Sequence, residues 1–358
     1  MNQFQLPSNQ KGLSLVELMV AMVLGIVVLG GTLSIFSTTM ESTRLNQALT
    51  QIQANSRFAS EIISNDLKMA GYFGCASSST GSLIITADNP PTNNFANSAL
   101  HGAVVAPADW VPGRPNGYTA PVGVGAPVVG THALMVQYAV PPGNRLSNSM
   151  SSRSAAIDLV NHNEDIAQSD FAVISNCNNG ELFSISTTGT VPNGMTVSPD
   201  SSLSQAYLQN ALVPESVRVM PFKSAMYYVG NTGRVNSSGN AISSLYLQTF
   251  PYDLNTNPPL ELIEGVEHLQ LSFGVANEGS YQFHAPDSAT LDYADVVMVK
   301  VGLLFSTNES FHQSSMNRSY YLADTLVTVT GGGGALTYAD DKRVRLAQNL
   351  SVRIRNRN

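Results

Sequence analysis

Charge is what this chain has least of. Only 12% of its 358 residues are Asp, Glu, Lys or Arg, about half the usual share, and the formal net charge is -7. That acidic balance argues against a general nucleic-acid binder, although it leaves room for a local basic patch. Cysteine is scarce as well: Cys75 and Cys177 are too few for a zinc site and have no CxxC spacing. The histidines, His101, His132, His162, His268, His284 and His312, are scattered without HExxH spacing and read as surface or core side chains. No GxSxG turn is present. Gly331 to Gly334 lacks the lysine and the strand-to-helix context of a phosphate cradle and reads as a flexible turn. Asp158, Asn161, Asn163, Glu164 and Asp165 gather oxygens that suit Ca²⁺, but not in EF-hand spacing. The chain therefore reads as a non-enzyme with no catalytic residue, no cofactor and no metal.

What the chain does have is one long apolar run. From Leu13 to Phe36 the sole ionisable residue is Glu17. A helix of that length rises ~36 Å, enough to cross a hydrocarbon core of ~30 Å. A carboxylate near a membrane helix end costs about a few kcal/mol unless it snorkels, protonates or meets a cation, so Glu17 needs a reason. A Sec signal peptide would need a shorter apolar core, although Gly30-Gly31-Thr32 offers a small-residue cut. An ordinary single-span anchor explains the length, but not Gly12 and Glu17 together.

Gly12, Leu13 and Glu17 resemble the class III signal of type IV prepilins, in which a polar leader ends in glycine before a hydrophobic helix with an early glutamate. The resemblance implies cleavage between Gly12 and Leu13 by the prepilin peptidase and N-methylation of Leu13. It also implies that Glu17 docks on the terminal ammonium of a neighbouring subunit, a charge-assisted contact in an apolar filament core. Gly12 presents no side chain to an enzyme cleft, and Lys11 keeps the leader on the cytoplasmic side. In a periplasm-facing domain Cys75 and Cys177 read most economically as one disulfide, closing a loop of about 100 residues for roughly 4 to 5 kcal/mol. Two buried thiols are the alternative. A bridge would pin the helix exit, Gly71 to Cys75, to a strand at Phe171 to Cys177.

Helical periodicity continues past the anchor. Leu45, Leu49, Ile52, Ala59, Ile63, Leu67 and Ala70 form a narrow apolar stripe on an otherwise polar helix. A continuous helix from Leu13 to Ala70 would be roughly 85 Å long, so its first half must protrude, as in the ladle shape of pilins, while the second packs on a head. Gly25, Gly30 and Gly31 are its weak points. From Ala76 to Gly130 Ser, Asn, Pro and Gly predict loops with one or two strands. Short β-branched and aromatic runs predict strands at Ala133 to Ala139, Phe171 to Ser175, Leu182 to Ser186, Ala225 to Val229, Leu245 to Phe250 and Asp295 to Phe305. The expected fold is α+β, a long N-terminal helix with one mostly antiparallel head. The expected segments are a leader at 1–12, a membrane or filament-core helix at 13–36, an amphipathic continuation at 37–70 and the head at 71–358.

In Leu262 to Val275 the alternation changes parity near Gly265, which predicts a bulge or a single turn there. This Glu264-Gly265-Val266 segment resembles a strand of PilW-type minor pilins and of the J-type pseudopilins of type II secretion. Gly71 to Cys75, Asp295 to Phe305 and Arg355 to Arg357 are similar to the same family. That family implies a structural subunit that primes pilus assembly and sits at or near the tip. Its partners would be other minor pilins, the major pilin, the prepilin peptidase, the inner-membrane assembly platform and a large tip adhesin. Its place would be the inner membrane, single-pass with a periplasmic head, and then the filament at the cell surface. The alternatives are a type II secretion pseudopilin and a tip module for adhesion or DNA capture.

The carboxyl end alternates. Val344, Leu346, Leu350, Val352 and Ile354 point one way, and Arg343, Arg345, Arg353, Arg355 and Arg357 the other, with Lys342 beside them. The expected reading is a basic stripe, either meeting an acidic partner subunit or DNA, or blunting an edge strand in solvent. No aromatic residue interleaves with it, which weakens the DNA case.

Overall fold

The first described element is one unbroken helix, α1 (Leu15–Met69). It belongs to a computed structural model that describes residues 14–75, 82–90, 99–160, 166–167, 170–192, 194–209, 217–311 and 317–356. Helix α1 contains no proline and passes through Gly25, Gly30 and Gly31 without a break. The chain forms two compact units, residues 1–50 and 51–358.

In the second unit α1 buries Ile52, Ser56, Ala59, Ile63, Asp66 and Leu67, a single face at spacings of three and four. The helix stops at Gly71, whose φ of +76° suits glycine and whose N–H donates to Gln137 O at 3.0 Å. Two antiparallel sheets share the core with that face. In the first, β2 (Leu100–Val104), β3 (His132–Ala139), β9 (Arg218–Val235), β10 (Ala241–Thr249) and β11 (Leu260–Glu264) lie side by side in that order. In the second the order is β13 (Ser280–His284), β12 (Val266–Asn277), β14 (Val296–Ser310) and β18 (Arg343–Arg353). Ile63 and Leu67 of the helix, Leu134 and Tyr227 of the first sheet, and Leu271 and Val301 of the second are buried in one apolar cluster.

Between β3 and β9 the chain builds a separate small barrel. Strands β4 (Asn144–Leu146), β5 (Ile157–Val160), β8 (Gly194–Pro199), β7 (Asn179–Val191) and β6 (Phe171–Ser175) pair in that order, and both β4 and β6 close on β9. All six pairings are antiparallel, so the ring leaves no open edge among its members. Side chains fill it, among them Leu159, Ile174, Phe183 and Val219. Strand β9 changes partners near Pro221, pairing with β6 up to that residue and with β3 from Phe222 onward. A residue without an N–H is tolerated where the ladder changes hands. Strand β1 (Ser82–Ile85) adds to β7 in parallel.

Gly265 is a corner. Strand β11 pairs with the first sheet and β12 with the second, and Gly265 between them, at φ +82°, takes Ser243 O through its N–H and Ser306 N–H through its carbonyl. A register shift between Val266 and His268 follows, which accounts for the change of parity in the sequence. A third sheet, β15 (Tyr320–Leu322), β16 (Thr325–Val329) and β17 (Leu336–Tyr338), covers the outer face of the second. Neither this sheet nor β4, β5, β8 and β13 was foreseen. Most of these strands have only three to six residues, and they depend on neighbours distant in sequence.

Candidate assembly interface

Every residue from 14 to 44 is exposed. Large apolar side chains run the length of this stretch, from Leu15 at 76% exposure to Phe36 at 64%. At roughly 1.5 to 3 kcal/mol for each such side chain fully buried, leaving them all in water is prohibitive, so this surface belongs in lipid or against other apolar helices. Its few polar groups fit such surroundings. Thr32, Thr38 and Thr39 donate their hydroxyls to carbonyls three or four residues back, at 2.8 to 2.9 Å, so these three are satisfied within the helix. From residue 14 to residue 40 Glu17 is the one charge, in the first turn of α1, where the helix dipole favours an anion. Among the described residues no cation lies within ion-pair distance of it. The cleavage and methylation positions, Gly12 and Leu13, lie outside the described residues.

At its far end the helix is clamped by its own head. Asp66 is buried near the C-terminus of α1, where the dipole disfavours an acid. Three donors compensate: Tyr138 Oη and Tyr227 Oη at 2.7 Å, and Lys223 Nζ at 3.1 Å. Burial first, and then the Asp66 charge, pushes both phenols above their usual range, so they stay protonated as donors. The side chain of Asn356 donates to Lys68, Met69 and Ala70 carbonyls at 3.2 to 3.3 Å and caps the helix from the other end of the chain. Just beyond, Cys75 and Cys177 form a disulfide with Cα atoms 4.7 Å apart, joining the helix exit to the turn between β6 and β7. Neither Asp66 nor Lys223 is singled out by the sequence, and Asn356 enters there only within the Arg355 to Arg357 segment, without a capping role. The available signal was an acid on the buried side of the helical stripe, between Ile63 and Leu67.

The structure corrects the basic stripe. Arg343 and Arg345 are buried within a compact cluster with Glu267 and Asp341. Arg345 Nε lies 2.7 Å from Glu267 Oε2 and its Nη2 2.8 Å from Asp341 Oδ1, while Arg343 Nη2 lies 2.9 Å from Glu267 Oε1. Arg343 Nε bonds the other Asp341 oxygen. Two cations and two anions leave no net charge to offer a partner. Burial alone opposes ionisation of Asp341, but Arg345 and Arg343 outweigh it and hold its carboxyl below the usual range. The alternation is real, but the outer face of β18 is roofed by the third sheet: the Arg345 guanidinium stacks 4.3 Å from the Tyr338 ring, and Asn349 bonds the Tyr321 carbonyl. Lys342, Arg353 and Arg355 are exposed at the two ends of this 11-residue strand, and Arg357 lies outside the described residues.

The other candidates disperse. His132 and His268 are buried and His101 is half-buried, at separate places, each beside a backbone group. His162 and His312, with Asn161, Asn163, Glu164 and Asp165, lie outside the described residues, and Asp158 is in β5. Gly331 to Gly334 forms a turn held by Gly334 N–H on Thr328 Oγ1 at 3.0 Å.

Two family descriptions match the chain. The type IV pilus-assembly protein W family matches residues 226–356, from within β9 to the Asn356 cap. The prokaryotic N-terminal methylation motif matches residues 7–33, which contain Gly12, Leu13 and Glu17. No match was found among curated proteins or among solved structures. The barrel from β4 to β8 lies outside both matched regions.

Proposed function

We propose that this chain, which its two matched regions support as a type IV pilus minor pilin of the W type, is cut after Gly12, methylated at Leu13 and assembled at or near the tip of the filament. It is a structural subunit, anchored by its N-terminal helix and working with other pilins and the pilus machinery. The observation that carries the reading is the wholly exposed apolar first half of α1 with a lone acid in its first turn. That surface suits two environments in succession, lipid before assembly and neighbouring helices after it. In the bilayer Glu17 sits near the helix end, where a carboxylate can reach the interface. In the filament it would pair with the Leu13 ammonium of the adjacent subunit, forming a charge pair in an environment that strengthens it.

The same surface frames the roles of the specific partners. The prepilin peptidase would act on residues 1–13, and the assembly platform would extract the helix with its head on the periplasmic side. The size of the head, with its barrel between β3 and β9, supports a terminal position, because added bulk crowds a repeating shaft. The test has two parts. Amino-terminal sequencing of the chain from intact membranes should return N-methylated Leu13, and a start at Met1 or near Thr32 sinks the assignment. Glu17→Gln and Glu17→Ala should then leave membrane levels unchanged while lowering recovery in sheared filaments about tenfold or more, the loss of one desolvated charge-assisted contact.

A further inference from the structure

We propose that the cleft beside the Phe250-Pro251 turn is a binding site for a neutral carbohydrate. The cleft holds about 550 Å³, within the ~300 to 1,000 Å³ range of small-molecule sites. Its floor is apolar and rigid. Phe250, half-buried, meets Tyr252 edge-to-face at 5.4 Å, and Tyr252, buried with its hydroxyl held by Ser224 Oγ at 2.8 Å, backs that ring from the core. The loop around it is stapled by Asn257, which donates from its side chain to Thr249 O at 2.6 Å and from its backbone to Asp253 O at 2.8 Å. A wall held this way loses little entropy when a ligand lands on it.

Above the floor the groups are amides, a hydroxyl and one carboxylate: Asn89, Asn116, Asn255, Thr119 and Asp253. Among the described lining residues there is no lysine, arginine or histidine. Asp253 is exposed, and hydrogen bonds led by the Asn255 N–H hold its carboxyl below the usual range, so it is an anion without a cationic neighbour in the cleft. Its Oδ1 accepts from Asn255 N–H at 2.9 Å and its Oδ2 from Thr256 Oγ1 at 3.0 Å. All of these donors come from the turn itself, and the exposed carboxylate is open to a hydroxyl arriving from solvent.

This inventory selects the ligand class. An anionic ligand would meet Asp253 with nothing to neutralise it. A wholly apolar ligand would strip water from the amides and the carboxylate without replacing their hydrogen bonds. One carboxylate is too few for a divalent cation, which takes about six or more oxygen ligands. A sugar ring satisfies both surfaces, with C–H groups against Phe250 and Pro251 and hydroxyls toward Asp253 and the amides. Phe250 and Pro251 also wall a second cleft of about 290 Å³, so an oligosaccharide has room to continue past the turn.

The test uses the full chain in detergent micelles on an array of neutral hexose and N-acetylhexosamine oligosaccharides beside sialylated and sulfated ones. Neutral oligosaccharides should be retained and the acidic ones not. In titrations with the best neutral oligosaccharide, Asp253→Asn and Thr119→Val should weaken binding, the former about tenfold or more, the loss of a hydrogen bond to a charged group. Asparagine keeps an acceptor for the Asn255 N–H, and an unchanged near-ultraviolet circular dichroism spectrum certifies the aromatic floor. Retention of acidic oligosaccharides alone, no retention at all, or neutral binding that both variants leave intact overturns the proposal. No filament enters the measurement, so its failure leaves the assembly reading standing, and Glu17→Gln should bind the oligosaccharide like the parent.

Discussion

At the scale of single residues, buried polar groups decide how this head responds to acid. His132 lies at the start of β3, where its Nδ1 accepts the Leu271 N–H at 2.9 Å, a bond that needs the neutral ring. Burial lowers its pKa from 6.5 to about 4, against a smaller opposing pull from Asp287. The unfolded chain therefore binds a proton that the folded chain refuses between these two values. Stability from this group is complete above pH 6.5 and drains as the pH falls toward 4, by up to about 3 kcal/mol. His101 and His268 are lowered by burial too and act in the same direction. Denaturant titrations on either side of that window should show the loss, and His132→Asn, which keeps an acceptor but cannot titrate, should flatten it. A slope unchanged in the variant would remove His132 from the account. None of this was legible in the sequence, where a lone histidine on a strand is only core or surface; its partner is 139 residues away.

At the scale of elements, the most readable parts were those with the strongest local pattern. The helix was expected from 13 to 70 and runs from Leu15 to Met69, because its periodicity and lack of proline need no tertiary help. The strand expected at Phe171 to Ser175 has those bounds, and those expected at Ala225 and Asp295 extend into longer β9 and β14. The parity change near Gly265 was also legible, but not its purpose as the corner between two sheets. A Cβ on Gly265 would stand 2.6 Å from Ser306 O at a backbone φ of +82°. Gly265→Ala should therefore cost at least about 2 kcal/mol, summing left-handed strain and overlap with an immobile carbonyl. Gly239→Ala, at φ +80° with open space around it, should cost only about 1 kcal/mol. Equal losses in thermal melts of the two variants would deny the corner its special role.

At the scale of the whole molecule, the disulfide ties the exit of α1 to the barrel. It joins residues 102 apart, so chain-entropy arguments assign it roughly 4 to 5 kcal/mol through the unfolded state. Cys75→Ser, Cys177→Ser and the reduced parent should all lose about that much in denaturant titrations and should agree with one another. A reduced parent as stable as the oxidised one would mean that the helix clamp of Asp66 and Asn356 suffices alone. Reduction should leave the β9 pairings of the barrel in place, because six strands close it without the sulfurs.

The sequence by itself determined the anchor, the lone acid at Glu17, the helical stripe and the α+β character, because each is written in the identity and spacing of residues close together in the chain. Tertiary structure alone decided that β18 would be roofed on its outer face, so that Arg343 and Arg345 neutralise Glu267 and Asp341 instead of facing solvent. It also decided the closure of the barrel and the cleft at Phe250. These depend on pairings between distant segments, and a period-two pattern says which side chains share a face without saying what lies across from it.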